Sequence, residues 1–274
     1  MPNTTADNTI IHDSATIDPS AVIGEGVVIE AGALVGPGCV IGDGCRLRAR
    51  SMIIEHTTLG AGCDVHPYAV LGGDPQDFKY NPETPGSVVI GDGCVFREGV
   101  TVHRSVGDEQ PTTIGSACYL MACSHVGHNS IMGDNVTLAN GSLLAGHVRV
   151  GARCFFGGNA MVHQYTDLGE GVMIRGGGGA TMHAPPYTVV SKINDLSGVN
   201  IVGLRRTENC TRRDITEVSR VYRLLYRERL PLGAALKVIE QQQWGIFAQR
   251  MIDFIHRVRA YGPPRVRGLM GPDI

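Results

Sequence analysis

The chain has 274 residues and carries 24 basic against 26 acidic side chains, a formal charge of −2, which argues against a nucleic-acid or polybasic membrane binder. Aromatic residues make up only 5% while glycine reaches 37 positions, about twice its usual share, so any core must be built from small and aliphatic side chains. No apolar run approaches the roughly 20 residues needed to span a bilayer, and the opening MPNTTADNTI has no basic, greasy signal, so a cytoplasmic protein is expected.

From Ile11 every sixth residue is aliphatic: Ile17, Ile23, Ile29, Val35, Ile41, Leu47, Ile53, Leu59, Val65 and Leu71. The fourth residue after each is small, as in Ala33, Cys39, Cys45 and Ser51, and glycine or a charged residue commonly marks a turn between them. Neither a helix nor a hairpin has a period of six. Short strands joined by tight corners do, and they predict a parallel β-helix whose coils stack about 4.8 Å apart. A glycine-rich antiparallel sandwich would instead require strict alternation and hairpin turns. Cys39, Cys45, Cys63, Cys94, Cys118 and Cys154 all fall at the small inward position, which makes them packing residues; there is no CxxC cluster to suggest zinc or a disulfide framework.

The frame breaks at Gly72 to Val89, a polar, proline-bearing stretch whose sharpest residues are Asp77 and Lys79. A long excursion from a regular solenoid is usually functional, against the plainer reading of a solvated loop. The sixes resume at Ile90, Phe96 and Val102, and break again over His103 to Thr113, where Asp108 stands in place of an aliphatic residue. They then run from Ile114 to Ala180. Three hexads per coil put residues 18 apart one above another, so His128, His147 and His163 should form one outward-facing column, with His125 nearby. Such a column reads as a decorated solvent face, as a metal site or as acid–base machinery. Beyond Pro185-Pro186 the spacing turns helical from about Asn200, with Pro231 and Gly245 as separators. Eight arginines between Arg205 and Arg229 make either a solvated helix face or a dock for an acidic partner. The expected division is a hexad β-helix over 1–190, with excursions at 72–89 and 103–113, and a helical domain over 191–274.

The runs DPQDFKY, HRSVG, SHVGHN, LLAGHV, VHQY, PPY and GVNIVGLRR occur in order along the chain. Together with the hexads and the helical tail they resemble the acyl-ACP:UDP-N-acetylglucosamine O-acyltransferases, a family of the hexapeptide acyltransferase superfamily. The resemblance implies a left-handed β-helix, a homotrimer with sites between subunits, and transfer of an (R)-3-hydroxyacyl group from acyl carrier protein to the sugar 3-hydroxyl in the first step of lipid A biosynthesis. It implies no cofactor, since phosphopantetheine arrives on the carrier, and no metal, nucleic acid or integral membrane contact.

Matched position by position, the resemblance makes His128 the general base, Gly146 the backbone N–H donor to the oxyanion, and Asn129 an orienting residue where well-known members carry Asp. It assigns Asp77, Lys79, His125, His147, His163 and Gln164 to substrate binding, Asn200 and Arg206 to nucleotide and phosphate contacts, and Met173 and Gly176 to the acyl-chain region. Val202 and Thr207 depart from the acidic and basic residues found in relatives. The competing expectations are a homologue that binds nucleotide sugar or carrier without turnover, and a trimeric β-helix zinc enzyme of carbonic anhydrase type using intersubunit histidines.

Overall fold

A computed structural model describes residues 3–4, 8–107 and 110–271; Asp108 lies outside the described residues. The hexads fold into strands of two to four residues, one per side of a three-faced coil, as in Val28–Ile29, Leu34–Val35 and Val40–Ile41. Residues 18 apart pair in parallel register, Val28 with Arg46 and Leu34 with Met52, so three hexads close one coil. The faces that these three strands begin are called here the first, second and third. Frame residues from Ile29 to Ala180 are buried, while Ile11, Ile17 and Ile23 are only partly covered at the end of the stack. Each fully buried aliphatic side chain contributes about 1.5–3 kcal/mol, so the core accumulates coil by coil. The six inward cysteines are buried among these residues, whereas Cys123 is exposed.

Both interruptions leave from one corner. The first excursion joins Val70–Gly73 on the second face to Val88–Ile90 on the third, stretching the pairing of Asp64 with Val95 to a separation of 31 residues. The second joins Thr101–His103 to Thr112–Ile114 at the next coil, where Val95 pairs with Tyr119 across 24. The solenoid keeps parallel pairing through both, with a register shift between Leu71 and Gly73 where the first excursion leaves its strand.

The helical part starts later than residue 191. Leu196–Val199 instead pairs antiparallel with Thr188–Val190 and closes the first face. Among the described residues four helices follow: α1 (Ile201–Arg206), α2 (Arg212–Tyr226), α3 (Leu232–Glu240) and α4 (Ile246–Arg259). Thr211 and Asp214 form a reciprocal capping box that starts α2. Pro231 and Gly245 stand at the N-caps of α3 and α4. Val218, Val221 and Leu225 of α2 meet Phe247, Met251, Phe254 and Ile255 of α4 in a second core. The chain then returns to the β-helix, where Leu269 bridges to His183 and Gly271 to Asp195, so the tail is strapped to the solenoid at both ends.

Candidate active site

The corner that carries both excursions also carries the histidines. His125 ends the turn onto the second face, in the strand His125–Val126, and His128 sits in the bend before Ile131–Met132 on the third. His128 is only 7% exposed, so it does not face open solvent as the hexad count predicts. The second excursion covers it through Asn129. The Asn129 Oδ1 accepts from the Val106 N–H at 3.0 Å, and its Nδ2 donates to the carbonyls of Val106 and Gln110 at 3.2 and 3.4 Å. These backbone partners fix which way the amide points. The His128 Nδ1, 2.9 Å from the same Oδ1, must therefore carry the proton and donate it. That leaves the Nε2 lone pair free.

Nε2 faces Gly146 on the next coil, so closely that a Cβ there would lie 2.6 Å from it. The Gly146 N–H has no acceptor among the described residues. A basic nitrogen and an unused backbone donor thus border one small space. Gly127 keeps that space open, since a Cβ on it would sit 2.6 Å from the Gly146 nitrogen.

The aromatic column differs from the expected one. His147 packs edge-on against His128 with centroids 5.0 Å apart, but the next ring is Tyr165, stacked on His147 at 4.6 Å. His163 is exposed, its Nδ1 3.3 Å from the Gln164 carbonyl. Residue 165, not 163, lies 18 beyond His147, which is why Tyr165 takes that position. On the other side His103 packs edge-on against His125 at 4.7 Å, and the Thr101 hydroxyl meets the His125 Nδ1 at 2.8 Å. Burial is the largest cause holding His125 and His147 down to about 4, and it also lowers His103, each helped by the neighbouring imidazole of His128. These three rings are neutral near pH 7 and suit an uncharged, hydroxyl-rich ligand. Among the described residues no three His, Cys, Asp or Glu side chains are grouped to hold a metal ion.

The first excursion folds back over this corner. The Asp77 carboxylate accepts from the Lys79 N–H at 2.8 Å and is near enough to His147 to favour its charged form, while Lys79 is exposed. The excursion is tied down by Arg104, a 5% exposed cation that sequence reasoning did not single out. Its guanidinium pairs with Glu55 and, at 2.7 Å, with both Asp74 and the Tyr80 hydroxyl. A buried charge is tolerable only when paired in this way. His103 and Arg104 carried no signal of their own in the hexad pattern, because each depends on which coil the excursions adjoin, whereas Tyr165 follows from counting 18 beyond His147.

Asn200, Arg206 and Met173 lie elsewhere, on a cavity of about 580 Å³ against the first face, lined also by Phe155, Tyr187 and Val202. Asn200 caps α1 through its Oδ1, 2.9 Å from the Gly203 N–H, and donates through Nδ2 to the Gly171 carbonyl at 2.9 Å. Gly176 is exposed on the corner beside this cavity. Within one chain, then, the expected site residues fall into two groups on different sides of the solenoid.

A family model described as UDP-N-acetylglucosamine O-acyltransferase, domain 2, matches residues 184–269. Models of bacterial transferase hexapeptide repeats match 8–42, 38–73 and 111–146, and one of succinyl-transferase hexapeptides matches 147–177. An acyl-[acyl-carrier-protein]–UDP-N-acetylglucosamine O-acyltransferase of Halorhodospira halophila is 37% identical over 250 residues, covering 90% of this chain and 96% of its own. The chain belongs to this acyltransferase family. A Sinorhizobium fredii relative of the same name is 38% identical over 79% of this chain and 80% of its own length. The solved UDP-N-acetylglucosamine acyltransferase of Bacteroides fragilis superposes with a TM-score of 0.88 at 30% identity, covering 95% of this chain and 99% of that one. Like its relatives, this acyltransferase is an enzyme, and no helix among its described residues is long and apolar enough to cross a membrane.

Proposed function

We propose that the enzyme transfers a 3-hydroxyacyl group from acyl carrier protein to the 3-hydroxyl of UDP-N-acetylglucosamine, the first step of lipid A biosynthesis. The observation that carries the mechanism is the His128 imidazole, locked by Asn129 with its Nε2 free and turned toward the unused N–H of Gly146. Nε2 takes the proton of the sugar hydroxyl as its oxygen attacks the thioester carbonyl. The Gly146 N–H donates to the oxygen that becomes negative. When the tetrahedral intermediate collapses, the C–S bond breaks and the imidazolium returns its proton to the departing phosphopantetheine thiolate. No acyl-enzyme is needed. Neutral His125 and His147, with Asp77 and Lys79 of the first excursion and His163 and Gln164 at the rim, hold the sugar.

The functional unit is a homotrimer. The His128 corner and the Asn200–Arg206 cavity lie on different sides of one chain, so three copies around a threefold axis bring the corner of one to the first face of the next. In this arrangement Arg206 serves the nucleotide phosphates, and Met173 with Gly176 borders the acyl chain. Apart from Arg206, the exposed arginines of α1, α2 and the turn after it face an acidic carrier. A mass-spectrometric assay with UDP-N-acetylglucosamine and 3-hydroxyacyl carrier proteins of several chain lengths tests the reading. O-acylated sugar is expected, and His128→Ala should reduce turnover by at least about a hundredfold. Absence of product from the folded wild-type protein, or near-normal turnover by the variant, refutes the assignment.

A further inference from the structure

Beyond Tyr165 the aromatic column ends on a group of cations with no assigned role. The Arg265 and Arg267 guanidiniums lie 5.8 and 5.9 Å from the Tyr165 ring centre. One face of that ring is already covered by His147, so both cations crowd round what remains of it. Arg149 stands beside Arg265 closely enough that its charge adds to burial in lowering the Arg265 pKa. Its firmest contact is a 3.5 Å approach to the Tyr261 hydroxyl. None of these three arginines has a carboxylate ion pair among the described residues. The nearby Asp167 is occupied by Tyr261 at 2.6 Å and Arg257 at 3.4 Å, and Glu170 by Arg153 and Arg250. The buried Nε atoms of Arg149 and Arg267 have no hydrogen-bond partner among the described residues.

The unpaired buried Nε donors of Arg149 and Arg267 are costly unless an anion joins the group, while the partly exposed Arg265 reaches the Tyr165 carbonyl with its Nη1 at 3.5 Å. The segment is also held in place from beneath. His183, 1% exposed, accepts the Asp167 N–H at its Nδ1 and donates from Nε2 to the Arg265 carbonyl at 2.9 Å, and the Met270 N–H donates back to the His183 carbonyl at 2.8 Å. The site is therefore preorganised by the solenoid.

We propose that Arg265 and Arg267, supported by Arg149, bind the phosphate of the phosphopantetheine arm that presents the acyl thioester. This rests on the acyl-carrier reading above. Successive ring separations of 5.0, 4.6 and 5.8 Å place the guanidiniums at most about 15 Å from His128. An extended pantetheine chain spans a distance of that order, roughly 15–20 Å from phosphorus to sulfur by standard bond lengths. A planar guanidinium fork matches a phosphate, and the column of Tyr165 and His147 gives the arm a continuous wall to follow.

The test compares two donors, a 3-hydroxyacyl-4′-phosphopantetheine and the same acyl-pantetheine without phosphate. Wild type should favour the phosphorylated donor by about tenfold or more in kcat/KM, and Arg265→Gln with Arg267→Gln should bring the ratio near one while KM for UDP-N-acetylglucosamine stays unchanged. Arg265→Lys with Arg267→Lys should retain part of the preference. Equal use of both donors by wild type overturns the proposal, as does a Gln variant that keeps the preference. A rise confined to the UDP-sugar KM overturns it in favour of the nucleotide phosphates. If the Gln variant does not fold, the wild-type ratio alone decides. Calorimetric titration of wild type with 4′-phosphopantetheine and with pantetheine reads the arginine site even if no acyl transfer occurs, which separates failure of this inference from failure of the acyltransferase reading.

Discussion

Replacing Gly146 by alanine isolates the relation between His128, the proposed base, and Gly146, the proposed oxyanion donor. The backbone at Gly146 is outside the left-handed region, so alanine introduces no strain of its own. Its Cβ would meet the His128 Nε2 at 2.6 Å, Cε1 at 2.8 Å and Cδ2 at 3.0 Å, where ordinary contact begins near 3.4 Å. The imidazole must give way by nearly 1 Å, yet its Nδ1 is held by Asn129 and the ring is 7% exposed beneath the second excursion. Misplacement on that scale costs about a hundredfold in rate, and overpacking costs about 1–3 kcal/mol in stability. We expect kcat to fall about a hundredfold in an assay that follows carrier thiol release, with KM for the carrier little changed. Gly158→Ala, whose Cβ would find nothing nearer than 3.5 Å, is the matched control and should stay close to wild type. A Gly146→Ala enzyme within threefold of the wild-type kcat would refute both the collision and the role built on it.

Arg104→Met unpairs Glu55, Asp74 and Tyr80; because Asp74 is 64% exposed and can rehydrate, the loss should be near 2 kcal/mol rather than the 3–5 of a sealed ion pair, with faster proteolysis within 72–89 and a raised sugar KM. An unchanged cleavage rate would show that Arg104 does not hold the excursion. Asn129→Asp keeps an acceptor for the His128 Nδ1–H but sets a carboxylate oxygen against the carbonyls of Val106 and Gln110, so the acid limb of the pH–rate profile should move up while Tm falls; a profile that does not move removes Asn129 from contact with the working base. His103, His125 and His147 all have pKa values lowered by burial, so the unfolded chain binds protons below about 6.5 that the folded chain refuses until about 4 for His125 and His147. Stability should be full above pH 6.5 and decline toward pH 4, by up to about 1.4 kcal/mol per pH unit for each ring, as urea midpoints at pH 7, 5.5 and 4.5 would register; a flat series contradicts the neutral cluster.

The solenoid was legible because its rule is local and repeated: Ile29, Leu47 and Val65 are inward for the same reason, and one coil predicts the next. The cysteines followed from that rule without further assumption. The tail's helices were legible from apolar spacing, though the strand Leu196–Val199 was not, since its pairing depends on the open edge at Thr188–Val190 rather than on its own four residues. The site was half legible. Counting 18 twice from His128 reaches position 164, which left His163 and Tyr165 equally near the column; His147 lies one residue past the count, so Tyr165, 18 beyond it, stacks and His163, two residues short of Tyr165, does not. Arg104 was invisible because its partners Glu55 and Asp74 come from a preceding coil and an excursion of irregular length. A regular prism offers many equivalent corners. Chemistry needs one that differs, and the insertions supply it, the second covering His128 through Asn129 and the first bringing Asp77 toward His147.

If the two residue groups act together only across a subunit boundary, inactive chains should repair each other. A His128→Ala chain retains an intact Arg206 cavity, and an Arg206→Gln chain retains an intact His128 corner. Coexpressed in equal amounts, they should assemble at random into trimers in which a site is whole only when the corner comes from one variant and the facing cavity from the other. Each site draws its two halves independently, so about one quarter of all sites should be wild type in composition. Turnover in the mixture should therefore approach about a quarter of the wild-type value, while either variant alone stays near its own low background. Separately purified variants, mixed without exchange of subunits, should show no recovery and so control for additive residual activity. Recovery absent from verified mixed trimers would mean that His128 and Arg206 serve the same reaction from within one chain.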